Sequence, residues 1–238
     1  MVVTPVPLSD VARAFDLGDR SHVALVGGGG KSTLLHALGD RAHGRVVLTT
    51  TTKMGADQHA GRRVLLDPTD DEVGAAAEAG PVVVWSRLDG HKAGGVDPVR
   101  CDAWFRRVDH VIVEADGSRR HPFKAPGPFE PVIPSSATLV ISVIGADALG
   151  RVILDRCHRP LRVAALAGCR PDMRLEPRMA AAVILHERGA AGSIPPGADL
   201  AVAINQVTDT NAVDVGGLID ELLEQRPGLR VVPIARLP

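Results

Sequence analysis

The sequence predicts an α/β fold, a mostly parallel sheet flanked by helices. Three observations carry this reading. Apolar, β-branched runs of four to seven residues recur along the chain and are nearly continuous, as strands buried on both faces should be. They alternate with helical stretches, as β-α-β crossovers require. The first run passes through four glycines directly into a helical segment.

Strands are expected over 22–26, 45–51, 63–66, 81–85, 110–114, 138–144, 200–205 and 230–234. Helices are expected over 32–40, 70–79, 176–188 and 211–225. The helix at 70 opens on Asp70-Asp71, acid at the positive end of a helix dipole, and Pro227-Gly228 stops the last one. Residues 117–134 hold Pro122, Pro126, Pro128 and Pro131 and can form neither a regular helix nor a central strand. A loop of this length inside a compact domain reads as functional, here a lid. The segment near 150–197 carries helix signals and is expected as a small helical insertion. No repeat or low-complexity linker divides the chain, so a single domain over 1–238 is expected.

Composition narrows the function classes. With 45% hydrophobic and 23% charged residues the chain can build a packed core, which excludes disorder as its main state. Lys and Arg number 27 against 28 Asp and Glu, a balance that excludes a surface tracking nucleic acid along its whole length. Any anion site must therefore be local. Cys101, Cys157 and Cys169 are odd in number and dispersed, giving neither a disulfide framework nor a zinc clip. A reducing cytoplasm fits. No apolar run approaches the roughly 20 residues of a membrane span, and Met1-Val2-Val3-Thr4-Pro5 has no charged leader region. A cytoplasmic protein with no membrane or nucleic-acid partner is expected. The basic residues are overwhelmingly arginine. Lys31, Lys53, Lys92 and Lys124 are the chain's lysines, each in an expected loop where a compact ammonium can meet a phosphate.

Val23-Ala24-Leu25-Val26-Gly27-Gly28-Gly29-Gly30-Lys31-Ser32-Thr33 is strand, glycine turn and helix start, the context a phosphate-binding loop requires. Glycines let backbone N–H groups converge on phosphate oxygens, and the helix aims its positive end at the same point. Gly27, Gly28, Gly29, Gly30, Lys31, Ser32 and Thr33 are thus the expected nucleotide-binding residues. Lys31 offsets charge on the transferred group and Ser32 holds Mg²⁺. The loop is shorter than the usual G-x-x-x-x-G-K-[ST] and resembles the compact G-x-x-G-K-[ST] loop of Mur ligases and folylpolyglutamate synthases.

A metal carboxylate should follow on a neighbouring strand. Val111-Ile112-Val113-Glu114-Ala115-Asp116 supplies two acids at i and i+2, on one face of a strand. Glu114 is expected to share the Mg²⁺ with Ser32, and Asp116 to orient water or an acceptor hydroxyl. Thr49-Thr50-Thr51-Thr52-Lys53 lies at the carboxyl edge of the sheet, where hydroxyls and an ammonium suit a phosphate or an acceptor and where threonines also simply favour strand. Thr51, Thr52 and Lys53 join Arg119, Arg120 and Lys124 of the proline-rich lid as expected acceptor-binding residues. Asn205-Gln206-Val207-Thr208-Asp209 resembles the base-reading Asn-Lys-x-Asp of GTPases. Gln replaces the Lys and the Asp is one residue late, which leaves Asn205 as base reader or strand-end turn.

Taken together with Lys124-Ala125-Pro126, Glu130-Pro131-Val132-Ile133-Pro134 and Gly145-Ala146-Asp147-Ala148-Leu149-Gly150, these blocks resemble the YqeC family over nearly the whole chain. The resemblance implies a cytoplasmic, P-loop NTPase-like protein of selenium cofactor biosynthesis, acting in maturation of selenium-dependent molybdenum hydroxylases. The cofactors expected are ATP or GTP with Mg²⁺, and the partner a molybdenum hydroxylase or its cofactor. Two modes of action stay open: an NTP hydrolase or phosphotransferase, or a nucleotide-switched chaperone or carrier that docks to the hydroxylase.

Overall fold

The computed structural model describes residues 3–236. Its main sheet has eight strands: β1 (Ser21–Gly27), β2 (Val46–Thr50), β3 (Val64–Leu66), β4 (Val82–Trp85), β5 (His110–Glu114), β6 (Leu139–Gly145), β7 (Asp199–Val207) and β8 (Arg230–Ala235). They lie in the order β8-β7-β6-β1-β5-β2-β4-β3, and every neighbouring pair is parallel. All eight expected strands are present, within two residues at each end. Their continuous apolar runs have the anticipated cause: β2, β5 and β6 are buried at every residue because helices cover both faces.

One face carries α1 (Val11–Ala14) and α2 (Lys31–Arg41), packed on Val23, Leu25, Ile112 and Ile141. The opposite face carries α3 (Asp70–Glu78) and α4 (Pro98–Phe105) over Val47, Val111 and Val113. Further along that face α5 (Ile153–Arg156), α6 (Pro160–Ala167), α7 (Pro177–Leu185) and α8 (Ala212–Gln225) cover β1, β6 and β7. Of these, α5 to α7 form the helical insertion between β6 and β7. Helix α3 starts on a full capping box, with the Thr69 hydroxyl accepting from the Glu72 amide and Glu72 accepting from the Thr69 amide. Helix α4 went unforeseen, although Asp97 caps it and Pro98 sits at its first position. No helix among the described residues is long and apolar enough to cross a membrane.

The chain winds outward from β1 through β2, β3 and β4, returns to β5, and then crosses β1 to build β6, β7 and β8. Strand β1 is therefore the switch point, and the crevice at the carboxyl ends of β1 and its neighbours is where open α/β sheets bind ligands. Register aligns those ends: Leu25 faces Glu114, Thr50 faces Glu114, Gly27 faces Val143, and Gly145 faces Asn205. Over the crevice hangs a three-stranded antiparallel ribbon, Arg87–Asp89, Lys92–Gly94 and Met54–Gly55. The 117–134 loop is anchored by a two-residue parallel pairing of Phe123–Lys124 with Cys157–His158.

Candidate functional site

The glycine loop can be built only from glycines. Gly29 has φ +78°, and a Cβ there would lie 2.1 Å from the Gly145 amide nitrogen, because the loop rests directly on the end of β6. Gly28 has ordinary backbone angles, but its Cβ would stand 2.5 Å from the His121 carbonyl oxygen. The loop is thus clamped between the β6 end and the 117–134 segment. Asn205, at the end of β7, clamps it from a third side: its side-chain amide donates to the Gly29 carbonyl at 3.0 Å and the Gly30 carbonyl at 3.4 Å. The Asn205 amide thus holds the loop in place.

The amides divide into two sets. The Gly28 N–H donates to the Val143 carbonyl at 2.9 Å and the Gly27 N–H to Asp116, so these two are used within the protein. A cleft of about 350 Å³ is lined instead by Gly29, Gly30, Lys31, Ser32 and Thr33, together with Glu114. The first-turn N–H groups of α2 have no intrahelical acceptor, and the helix dipole adds positive potential in the same place. The part of the loop that lines the cleft therefore begins at Gly29, two residues after Gly27, where the sequence placed the start of the expected binding residues.

Lys31 is buried beneath the loop. Its ammonium donates to the Gly27 carbonyl at 2.7 Å and lies 3.2 Å from Asp116 and 3.7 Å from Glu114. Burial disfavours the charge, but Asp116 and Glu114 more than offset that and hold its pKa above the ordinary lysine range. The Ser32 hydroxyl donates to Glu114 at 2.9 Å. Hydroxyl and carboxylate form an oxygen donor pair at the cleft floor, the chemistry a hard divalent cation selects. Among the described residues no group of three or more His, Cys, Asp or Glu side chains gathers as a metal site. The pair fits Mg²⁺, which keeps several waters and takes its remaining ligands from a phosphate substrate.

Asp116 and Lys124 lie away from where the sequence placed them. Asp116 is 1% exposed, and its carboxylate accepts the Gly27 amide and meets two ammonium groups, Lys31 at 3.2 Å and Lys124 at 3.0 Å. The chain turns under the loop after β5, so this acid does not line the cleft where a water or acceptor would be oriented. Lys124 is a buried strut: its ammonium donates to the Gly117 carbonyl at 2.7 Å and to Glu130 at 2.6 Å, and its side chain is shut off from solvent. Glu130 in turn takes a two-pronged contact from Arg159, at 2.8 and 3.1 Å. Burial pushes the Glu130 carboxyl up, but Arg159 and Lys124 outweigh it and hold the pKa down at about 2. Sequence reasoning missed Glu130 and Arg159. Three cations (Lys31, Lys124, Arg159) and three anions (Glu114, Asp116, Glu130) thus compensate one another beneath the loop.

The acceptor set also divides. Thr51 donates its hydroxyl to the Val132 carbonyl at 2.7 Å and ties β2 to the 117–134 loop, while the Thr52 amide donates to the Thr50 hydroxyl. Neither lines the cleft. Lys53, Arg119 and Arg120 do, joined by Lys92 from the ribbon and Arg156 from α5.

A model of the YqeC protein family matches residues 23–161, from β1 through the glycine loop and the Glu114 strand to the start of α6. The chain belongs to the YqeC family. A relative described as an uncharacterized protein YqeC, from Escherichia coli strain K12, is 34% identical over 226 residues, covering 89% of this chain and 87% of that protein. The matched span, 23–161, includes the glycine loop, the Glu114–Asp116 pair and the proline-rich loop and ends before Asn205.

Proposed function

We propose that this YqeC-family chain binds a nucleoside triphosphate with Mg²⁺ in the cleft above Gly29–Thr33 and hydrolyses it or transfers its terminal phosphoryl group. One observation supports the reading above the others: the first-turn amides of α2, the buried Lys31 ammonium and the Ser32–Glu114 oxygen pair meet at a single cleft floor. Bound Mg²⁺ would offset the charge of the phosphates. Ser32 and Glu114 would hold it, and the amides from Gly29 onward would donate to phosphate oxygens where charge grows in phosphoryl transfer. Lys31 already carries its proton and is oriented by Gly27 and Asp116, so a phosphate has only to compete with neighbouring carboxylates for an existing donor. Asp116 acts here as a positioning residue. Maturation of selenium-dependent molybdenum hydroxylases, with the hydroxylase or its cofactor as partner, is the setting proposed for this activity and rests on the family resemblance.

The test is isothermal titration with ATP, GTP and CTP in Mg²⁺ and in EDTA, followed by phosphate release. Mg²⁺-dependent binding of at least one nucleotide supports the proposal; no binding by any of the three contradicts it.

A further inference from the structure

The four lysines of the chain converge on one place. Lys31 and Lys124 lie beneath the glycine loop, and Lys53 and Lys92 stand on the cleft above it, although the basic residues are mostly arginines spread over the surface. Lys53, at the end of the β2 turn, and Lys92, on the antiparallel ribbon, face the same cleft as the consecutive Arg119 and Arg120. All four are exposed and none makes an ion pair or side-chain hydrogen bond among the described residues; other arginines such as Arg41, Arg63 and Arg87 are unpaired too, but these four line one cleft. The acids that reach the cleft are already engaged. Glu114 accepts from Ser32, and Asp147 is paired with Arg156.

Three separate segments thus bring four unpaired positive charges to one concave surface of a protein whose net charge is only −1. Like charges gathered in this way repel, and an anion between them relieves the repulsion. The nucleotide proposed above has its own counter-charges, Lys31, Mg²⁺ and the helix terminus. From the geometry we infer that the wall formed by Lys53, Lys92, Arg119 and Arg120 is a second anion subsite, which receives a phosphate-bearing small molecule facing the nucleotide across the cleft. The inference rests on the nucleotide reading for what occupies the opposite wall. It identifies the second reactant as a phosphorylated compound whose phosphate is held by two arginines and two lysines. Arginine forks match phosphate oxygens in pairs, and lysines add point charge.

The experiment loads the protein with Mg²⁺ and a non-hydrolysable ATP or GTP analogue, then titrates pyrophosphate as the probe of the second subsite. Pyrophosphate should bind the loaded protein. A variant combining Lys53→Ala, Lys92→Ala, Arg119→Ala and Arg120→Ala should weaken that binding at least about tenfold while analogue affinity changes by no more than about threefold. Absence of pyrophosphate binding to loaded protein, equal binding in the variant, or loss of the analogue from the variant would each overturn the inference, the last because the wall would then serve the nucleotide itself. If no analogue binds but pyrophosphate binds in a wall-dependent way, the nucleotide reading fails and the anion subsite stands.

Discussion

Asp116 accepts the Gly27 amide on both carboxylate oxygens, at 3.1 and 3.0 Å, and so fixes the first residue of the glycine loop from the end of the neighbouring strand. The same carboxylate lies between the Lys31 and Lys124 ammonium groups. Its charge therefore serves loop placement and electrostatic balance together. Asp116→Asn keeps the shape and leaves two buried ammonium groups without their shared counter-charge. Breaking a buried ion pair on one side costs about 3–5 kcal/mol, and urea unfolding should show a loss in that range. A change below about 1 kcal/mol would mean that the lysines relax to water.

Glu114→Gln separates the metal from the phosphates. The amide can still accept from Ser32, but the anionic oxygen is gone. Titration of Mg²⁺ at fixed nucleotide should need about tenfold more metal for half-maximal binding, as for loss of one charged interaction. Metal-free nucleotide binding should be unchanged or tighter, because a negative charge has left the cleft.

Asn205→Ala distinguishes a loop clamp from a base reader. Losing the donors to the Gly29 and Gly30 carbonyls should weaken ATP, GTP and CTP by a similar factor, about 1 kcal/mol in binding free energy. A selective loss for one base would make Asn205 a base reader, one of the two roles its sequence context leaves open.

The strands were legible because burial on both faces leaves an unmistakable apolar run; His110–Glu114 was read to the residue. The glycine loop was legible because backbone strain and close approach leave only glycine. The ribbon was not, since its strands are only two or three residues long, with no room for an alternating pattern. Lys92 was noted as a lysine but could not be placed at the site for that reason. Asp116 lies two residues past the end of β5, and no strand pattern shows that its carboxylate is engaged by the Gly27 amide and the Lys31 and Lys124 ammonium groups. The Glu130–Arg159 pair spans 29 residues between a loop and a helix start, and no local spacing encodes it.

Acid should destabilise the fold through His22. Its ring is fully buried, with Nδ1 2.9 Å from the Ser136 hydroxyl, and burial drives its pKa from 6.5 down to about 4 despite the nearby Asp102. The unfolded chain takes up this proton more readily. Its contribution is therefore complete above pH 6.5 and is lost as pH falls toward 4, by about 3 kcal/mol in all. Stability measured across that window should fall with pH, and His22→Gln should flatten the slope. An unchanged slope in the variant would assign the effect to other buried histidines.

Calorimetric titration of Lys31→Ala with the Mg²⁺ nucleotide that the wild-type protein binds best tests whether the cleft floor holds a nucleotide through the Lys31 ammonium. The substitution removes an ammonium that meets the Gly27 carbonyl, Glu114 and Asp116, so folding is checked first by circular dichroism. With the fold retained, affinity should drop by at least about tenfold, the 1.5–3 kcal/mol typical of a charge-assisted hydrogen bond. Wild-type affinity in the folded variant would contradict the account, because the cleft would then bind its nucleotide without the residue its floor is built around.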